Sequence, residues 1–322
     1  MRLLAALLML LLLATFAPLR IYMPPHIPAV PQIAFDPVAL QPNQLNQRSV
    51  GQLIYLGGWS IRSNDPRFGG ISAMHVADGH VRAMTDTGVS IEFALPGAAR
   101  TGPVAISPLA QGPGKTSTRR NRDAEAMVIA NGVMWIAFEQ RHEIWRYPLD
   151  NRQGQARSAP PTMAEWETNR GAEAMVRLPG GRFLVFAEGD EVYDDTTPLL
   201  LFDGDPASSA TKVTALRYRA PRGHRITDAA LLPDGRILLL NRRISWRGAL
   251  SAKLTIGTLA KLQAGTVLES EEIAVLAPPL TIDNMEALSV TRENGRDLVW
   301  IASDDNFSPL QRTLLMKFAL AD

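Results

Sequence analysis

The chain has no cysteine. That excludes disulfides, a thiolate metal site, a cysteine nucleophile and a lipid-modified cysteine anchor. Charge of neither sign dominates: 33 Lys and Arg face 32 Asp and Glu, so no basic excess points to nucleic acid. Histidine is scarce, and the five present (His26, His75, His80, His142, His224) show no His-Glu-x-x-His spacing for zinc. Long hydrophobic runs are missing after the N-terminus. The exception is Leu3 to Pro18, which follows the single charge of Arg2. It reads as a secretory h-region with a cleavage point after Ala17, or as an anchor held in the inner membrane. Residues 1–20 are therefore set apart as signal or anchor, and the rest is expected in the periplasm or outside the cell. Residues 21–47 carry Pro24, Pro25, Pro28, Pro31, Pro37 and Pro42, and read as an extended linker.

What is abundant is a phrase that returns. It runs Gly70-Ile71-Ser72-Ala73-Met74, Asp123-Ala124-Glu125-Ala126-Met127 and Gly171-Ala172-Glu173-Ala174-Met175. It loosens to Ile226-Thr227-Asp228-Ala229-Ala230, then closes as Asn284-Met285-Glu286-Ala287-Leu288. The third position steps through 72, 125, 173, 228 and 286, a period of 48 to 58 residues. Each copy precedes a turn and a second apolar run that ends on Asp86, Glu139, Glu188, Arg242 or Asp304. A period of this length with four short strands per copy predicts an all-β propeller over residues 48–322. Five blades are favoured, with six as the alternative. The last copy is one strand short, and Leu53 to Ile61 is unassigned. That N-terminal strand is expected to join the last blade and close the ring.

The first strand of a propeller blade lines the central channel. The third residues then form a ring: Ser72, Glu125, Glu173, Asp228 and Glu286. Carboxylates aimed at one axis repel unless a cation lies among them, and Ca²⁺ accepts six to eight oxygens in flexible geometry. Glu125, Glu173, Asp283, Glu286 and Asp304 are the candidate metal ligands. Glu125 and Glu173 are also candidate catalytic residues, the alternative being that they tie blades together through backbone hydrogen bonds. His224, between Arg222 and Arg225, is a candidate general acid. The basic run from Gly112 to Arg122 suits an anionic ligand. Lys115, Arg119, Arg120, Arg122 and Arg170 are the candidate substrate-binding residues. The Gly-Lys-Thr inside that run is no phosphate-binding P-loop, because Leu109 stands where the first glycine belongs. A second acidic loop, with Asp190, Glu191, Asp194 and Asp195, reads as a solvated turn or a cation site.

Phe68-Gly69-Gly70-Ile71-Ser72-Ala73, Thr85-Asp86-Thr87-Gly88 and the acidic phrases around Glu125, Glu173 and Glu286, taken in order, resemble the bacterial phytase-like family, also called "esterase-like activity of phytase". The resemblance covers roughly residues 50–320. It implies an exported propeller that hydrolyses phosphate esters or other esters, and it carries over Glu125, Glu173, Asp283 and Glu286. The expected substrate is a small anionic ester and the expected cofactor Ca²⁺. The chain is expected to act as a monomer, without nucleic acid, and to meet a membrane only if its N-terminal segment is retained. A non-catalytic propeller that binds a ligand or envelope partner, and a lactonase-like hydrolase, remain as alternatives.

Overall fold

The computed structural model describes residues 26–114, 119–150, 152–189, 196–245, 249–259 and 262–321. The N-terminal segment, Lys115 and the acidic loop at 190–195 lie outside them. Nearly all the described secondary structure is β, with a few short 3-10 turns and no α-helix.

The strands divide into five antiparallel units. The inner strands are Ile71–Ala77, Ala124–Ala130, Ala172–Arg177, Arg225–Leu231 and Asn284–Glu293. Each inner strand packs beside the next, and the fifth packs beside the first, so the units follow one another around an axis. The inner hairpins turn at Asp78-Gly79, Asn131-Gly132 and Asn294-Gly295. Both residues have positive φ in all three, as tight hairpin turns of this hand require.

Inner strands are buried on both sides, which is why their sequence is almost continuously apolar rather than alternating. Each gap between neighbouring units holds one hydrophobic cluster. Ala73, Met84 and Met127 fill the first gap. Ala126, Met175 and Phe183 fill the second, and Ala174, Phe186 and Tyr218 the third. Leu240, Met285 and Phe318 pack the fourth, while Met74, Phe93 and Trp300 pack the fifth. The repeat-phrase methionines are thus packing residues between sheets.

The ring closes as expected: Leu53–Ser63 pairs with Thr313–Leu320, the last strand of the fifth unit. The stretch read as linker is more than linker. Gln32–Pro37 forms a strand that pairs with Leu53–Ser63 on one side and Thr101–Pro108 on the other. It therefore joins the outer edges of the fifth and first units into a single ten-stranded sheet. The fourth strand of the second unit, Ala156–Ser158, is only three residues long.

Candidate functional site

The inner strands share one irregularity. Their pairing with the second strand slips at Ile71/Ala73, Ala124/Ala126, Ala172/Ala174, Ile226/Asp228 and Met285/Ala287. One residue is therefore bulged out of each strand: Ser72, Glu125, Glu173, Thr227 and Glu286. A bulge re-aims a side chain. Here it removes one side chain per unit from the alternation that fills the gaps between sheets.

The fourth member of the ring is thus Thr227, not Asp228. Asp228 stands where the other units have alanine, and its carboxylate is a clamp. Oδ1 accepts from the amide of Ala229 at 2.8 Å and Oδ2 from the amide of Leu288, in the next unit, at 2.6 Å. Burial pushes this carboxyl well above its ordinary value, against those two amides. The two hydroxyl members also bind the next unit: Ser72 Oγ donates to Ala124 O, and Thr227 Oγ1 to Met285 O at 3.3 Å. Asp228→Ala leaves two buried amides without acceptors. It is expected to cost about 1–3 kcal/mol per amide, read as a lower denaturation midpoint.

The three glutamates turn instead into a cavity of about 240 Å³ at one end of the ring. The second strands bring their terminal residues to the same place: Asp86, Glu139, Glu188, Arg242 and Asp304 all line it, with Asp123, Asn169 and Asn306. Backbone bonds hold this rim, since Asp86, Glu139 and Glu188 donate from their amides to Gly70, Asp123 and Gly171. Gly171 must lack a side chain, because a Cβ there would fall 2.7 Å from both Cα and Cγ of Glu139. Eight carboxylates and one guanidinium, that of Arg242, line the cavity among the described residues.

Arg242 Nη1 lies 2.8 Å from Glu286 Oε1 and 2.6 Å from Asn284 Oδ1, and Nη2 lies 4.0 Å from Glu188 Oε1. Glu188 also pairs with Arg225 Nη1 at 2.9 Å. Glu125 and Glu173 are held well above the carboxylate range, first by burial and then by the neighbouring acids. Burial and the charges of Asp123 and Glu188 push Glu139 up to about 7. Burial and the charge of Glu286 push Asp304 up to about 8. Burial lowers the Arg242 pKa, but the surrounding glutamates outweigh it and hold the group above its ordinary value. Two triads of carboxylates, Asp123/Glu125/Glu139 and Glu139/Glu173/Glu188, each bring their oxygens within 4.8 Å of one another. Such a set of hard oxygen donors fits a Ca²⁺-type cation.

Other sequence-based candidates go elsewhere. Asp283 binds Arg312, whose backbone N and Nε lie 3.2 and 3.3 Å from Oδ2, and it does not line the cavity. Asp305 ties the fifth unit to the first by accepting from Gly70 N at 2.9 Å and Thr313 Oγ1 at 2.8 Å. Arg122 is buried beneath Gly88 and Gly112, donates to Leu109 O at 3.4 Å and does not line the cavity. Arg170 lies 3.3 Å from Glu167 and is not among the residues that line the cavity, although its neighbour Asn169 is. His224 is buried against Ser251 Oγ at 3.4 Å, away from the cavity, and burial lowers its pKa. The backbone of Arg119 and Arg120 forms a 3-10 turn beside the site. The lining residues missed were Asp123 and Asn169, which lie two and four residues before the ring positions Glu125 and Glu173.

The family model for "Esterase-like activity of phytase", named Phytase-like, matches residues 66–307, more than half of the chain. The chain belongs to the phytase-like family. The matched region includes every carboxylate that lines the cavity. A search of curated proteins gives no match. Among solved structures, the glutaminyl cyclase of Myxococcus xanthus aligns at TM-score 0.48 and 12% identity, covering 80% of this chain and 93% of its own. An α-L-arabinofuranosidase of Podospora anserina aligns at TM-score 0.46 and 11% identity, covering 90% of this phytase-like chain and 98% of its own. At these scores neither speaks to the chemistry of the site.

Proposed function

We propose that this phytase-like propeller is an exported hydrolase of small anionic esters, phosphate esters first, with a Ca²⁺-type cation in the acidic cavity. One observation carries the reading. Separate strands deliver eight carboxylates to one cavity whose lining cation is Arg242 alone among the described residues. That charge makes little sense for a structural plug and good sense for a cation with an anion bound across it. One or other triad, Asp123/Glu125/Glu139 or Glu139/Glu173/Glu188, would hold the cation. When bound, it would polarise the ester and favour attack by water.

The chain's own residues supply the rest. Arg242 Nη2, less tightly engaged than Nη1, is placed to bind an anionic oxygen. Asp304 lies outside both triads, and its burial beside Glu286 favours the protonated form, which could give its proton to the leaving oxygen. Serine, threonine and histidine are absent from the described lining residues, which leaves water or a lining carboxylate as the attacking group.

The deciding test is calcium analysis of purified protein with p-nitrophenyl phosphate and p-nitrophenyl acetate assays, before and after chelation. Turnover is expected to fall at least about 100-fold on chelation, to return with Ca²⁺, and to be lost in Glu125→Gln. A folded protein that retains calcium but turns over neither ester would favour the non-catalytic binding propeller.

A further inference from the structure

We infer that the cavity holds two adjacent divalent cations that share Glu139 as a bridging ligand. This rests on the cation reading above and goes beyond it. Glu139 is the only residue common to the two triads. Asp123 and Glu125 approach it from the second unit, whereas Glu173 and Glu188 approach from the third. No single group of mutually close oxygens spans both pairs among the described residues. A cation between Asp123, Glu125 and Glu139 would leave Glu173 and Glu188 facing each other.

Glu173 points independently to a ligand on that second side. It is only 8% exposed, makes no hydrogen bond or ion pair among the described residues, and sits at a bulge that turns it into the cavity. A buried carboxylate in that state is costly unless a cation accompanies it. Glu188 already pairs with Arg225, and the nearest guanidinium of the lining, Arg242, is engaged with Glu286.

Charge points the same way. Glu188 is paired with Arg225 and Glu286 with Arg242, whereas Glu125, Glu139 and Glu173 have no ion pair among the described residues, and one divalent cation offsets only two of those three. Glu139 suits a bridge because its backbone is pinned over Gly171, where no Cβ fits, and Gln140 Nε2 donates to its Oε2 at 3.1 Å. The donors are long, separate glutamate and aspartate side chains from different strands. Such a set suits Ca²⁺, with its variable coordination number, better than the rigid octahedron of Mg²⁺. Two cations sharing a carboxylate form a clamp able to hold both the attacked and the leaving oxygen of a phosphate ester. Arg242 occupies the rim position where four of the units place a carboxylate, so an anion is admitted from its side.

The test is calcium stoichiometry of the whole protein, by calorimetric titration and by metal analysis after gel filtration, with Mg²⁺ run in parallel. Wild type is expected to bind two Ca²⁺ per chain. Asp123→Asn and Glu188→Gln should each retain one. Glu139→Gln should lose both at a concentration that saturates wild type, a weakening of at least about 100-fold. Circular dichroism reports whether each variant folds. Should Glu139→Gln unfold, the other two variants still carry the test. One Ca²⁺ per chain in wild type, or complete loss in both Asp123→Asn and Glu188→Gln, overturns the pair and leaves the single-cation hydrolase standing. Failure to bind any Ca²⁺ overturns both readings.

Discussion

Stripped of cations, the protein is expected to lose thermal stability as pH rises from about 5 to about 8, and calcium is expected to restore it. The cause is the crowding of acids in the cavity. Glu139 titrates near 7 and Asp304 near 8 in the folded chain, above ordinary values of 4.5 and 3.8. Glu125 and Glu173 are shifted in the same direction. A carboxyl raised in this way binds its proton more tightly when folded. Below the unfolded pKa, both states are protonated and the contribution to stability is fully present. As pH climbs, the unfolded chain ionises first, so stability falls, and the contribution is gone once pH passes the folded value.

Carboxyls with the opposite shift do not interfere. Asp65 and Glu92 sit below their ordinary values through Arg67 and Arg82, so their contribution changes only under more acidic conditions. Glu139 and Asp304 together are worth on the order of 5 kcal/mol after allowance for coupling, or a fall on the order of 10 °C in melting temperature. If the cavity takes calcium as proposed, saturating calcium should flatten the curve, because it would bind only the folded cavity and replace the protons. Differential scanning calorimetry at several pH values, with chelator and with calcium, measures this directly. Glu139→Gln should flatten the chelator curve as well. A chelator curve that rises between pH 5 and 8, or that calcium leaves unchanged, would mean the acids are not gathered as described.

Much of this architecture was legible because the repeat phrase and its turns are local. Asn131-Gly132 fixes a hairpin wherever it occurs, and the apolar runs on either side have only each other to pair with. Even the closing strand was readable, since one unit was short by one strand and Leu53 to Ile61 was left over. Gln32–Pro37 was not readable. Its partners lie in the fifth and first units, and the prolines around it suggest a linker to any local reading. The rim acids were visible as the ends of successive second runs, and they converge as that spacing implied.

The misplaced residues have one cause. Proximity in sequence to a ring position says nothing about which side of the backbone a residue leaves from. Arg122 precedes Asp123 yet dives under Gly112, and His224 precedes Arg225 yet turns outward to Ser251. Asp228 was aligned with the ring glutamates because it is acidic. The bulge register, which sequence does not print, gives that place to Thr227.

Arg242→Met should be the most damaging single substitution in the cavity. It leaves the largely buried Glu286 with Asn284 Nδ2 but no cationic partner, and takes from Glu173, Glu188 and Glu125 the guanidinium that offsets them. Removing one member of a buried pair costs about 3–5 kcal/mol, visible as a lower urea midpoint at pH 8 with chelator present. Part of the loss should return at pH 5, where the glutamates can protonate, and part with calcium. Arg242→Met combined with Glu286→Gln should be more stable than Arg242→Met alone, because no uncompensated charge is then left at that position. Turnover separates the roles of the arginine. If Nη2 binds the anionic oxygen of the substrate, kcat/KM for p-nitrophenyl phosphate should fall at least about 100-fold, with a much smaller change for the uncharged p-nitrophenyl acetate. An equal fall for both esters, after stability has been matched with calcium, would make Arg242 a counter-ion to the cavity acids and no part of substrate recognition.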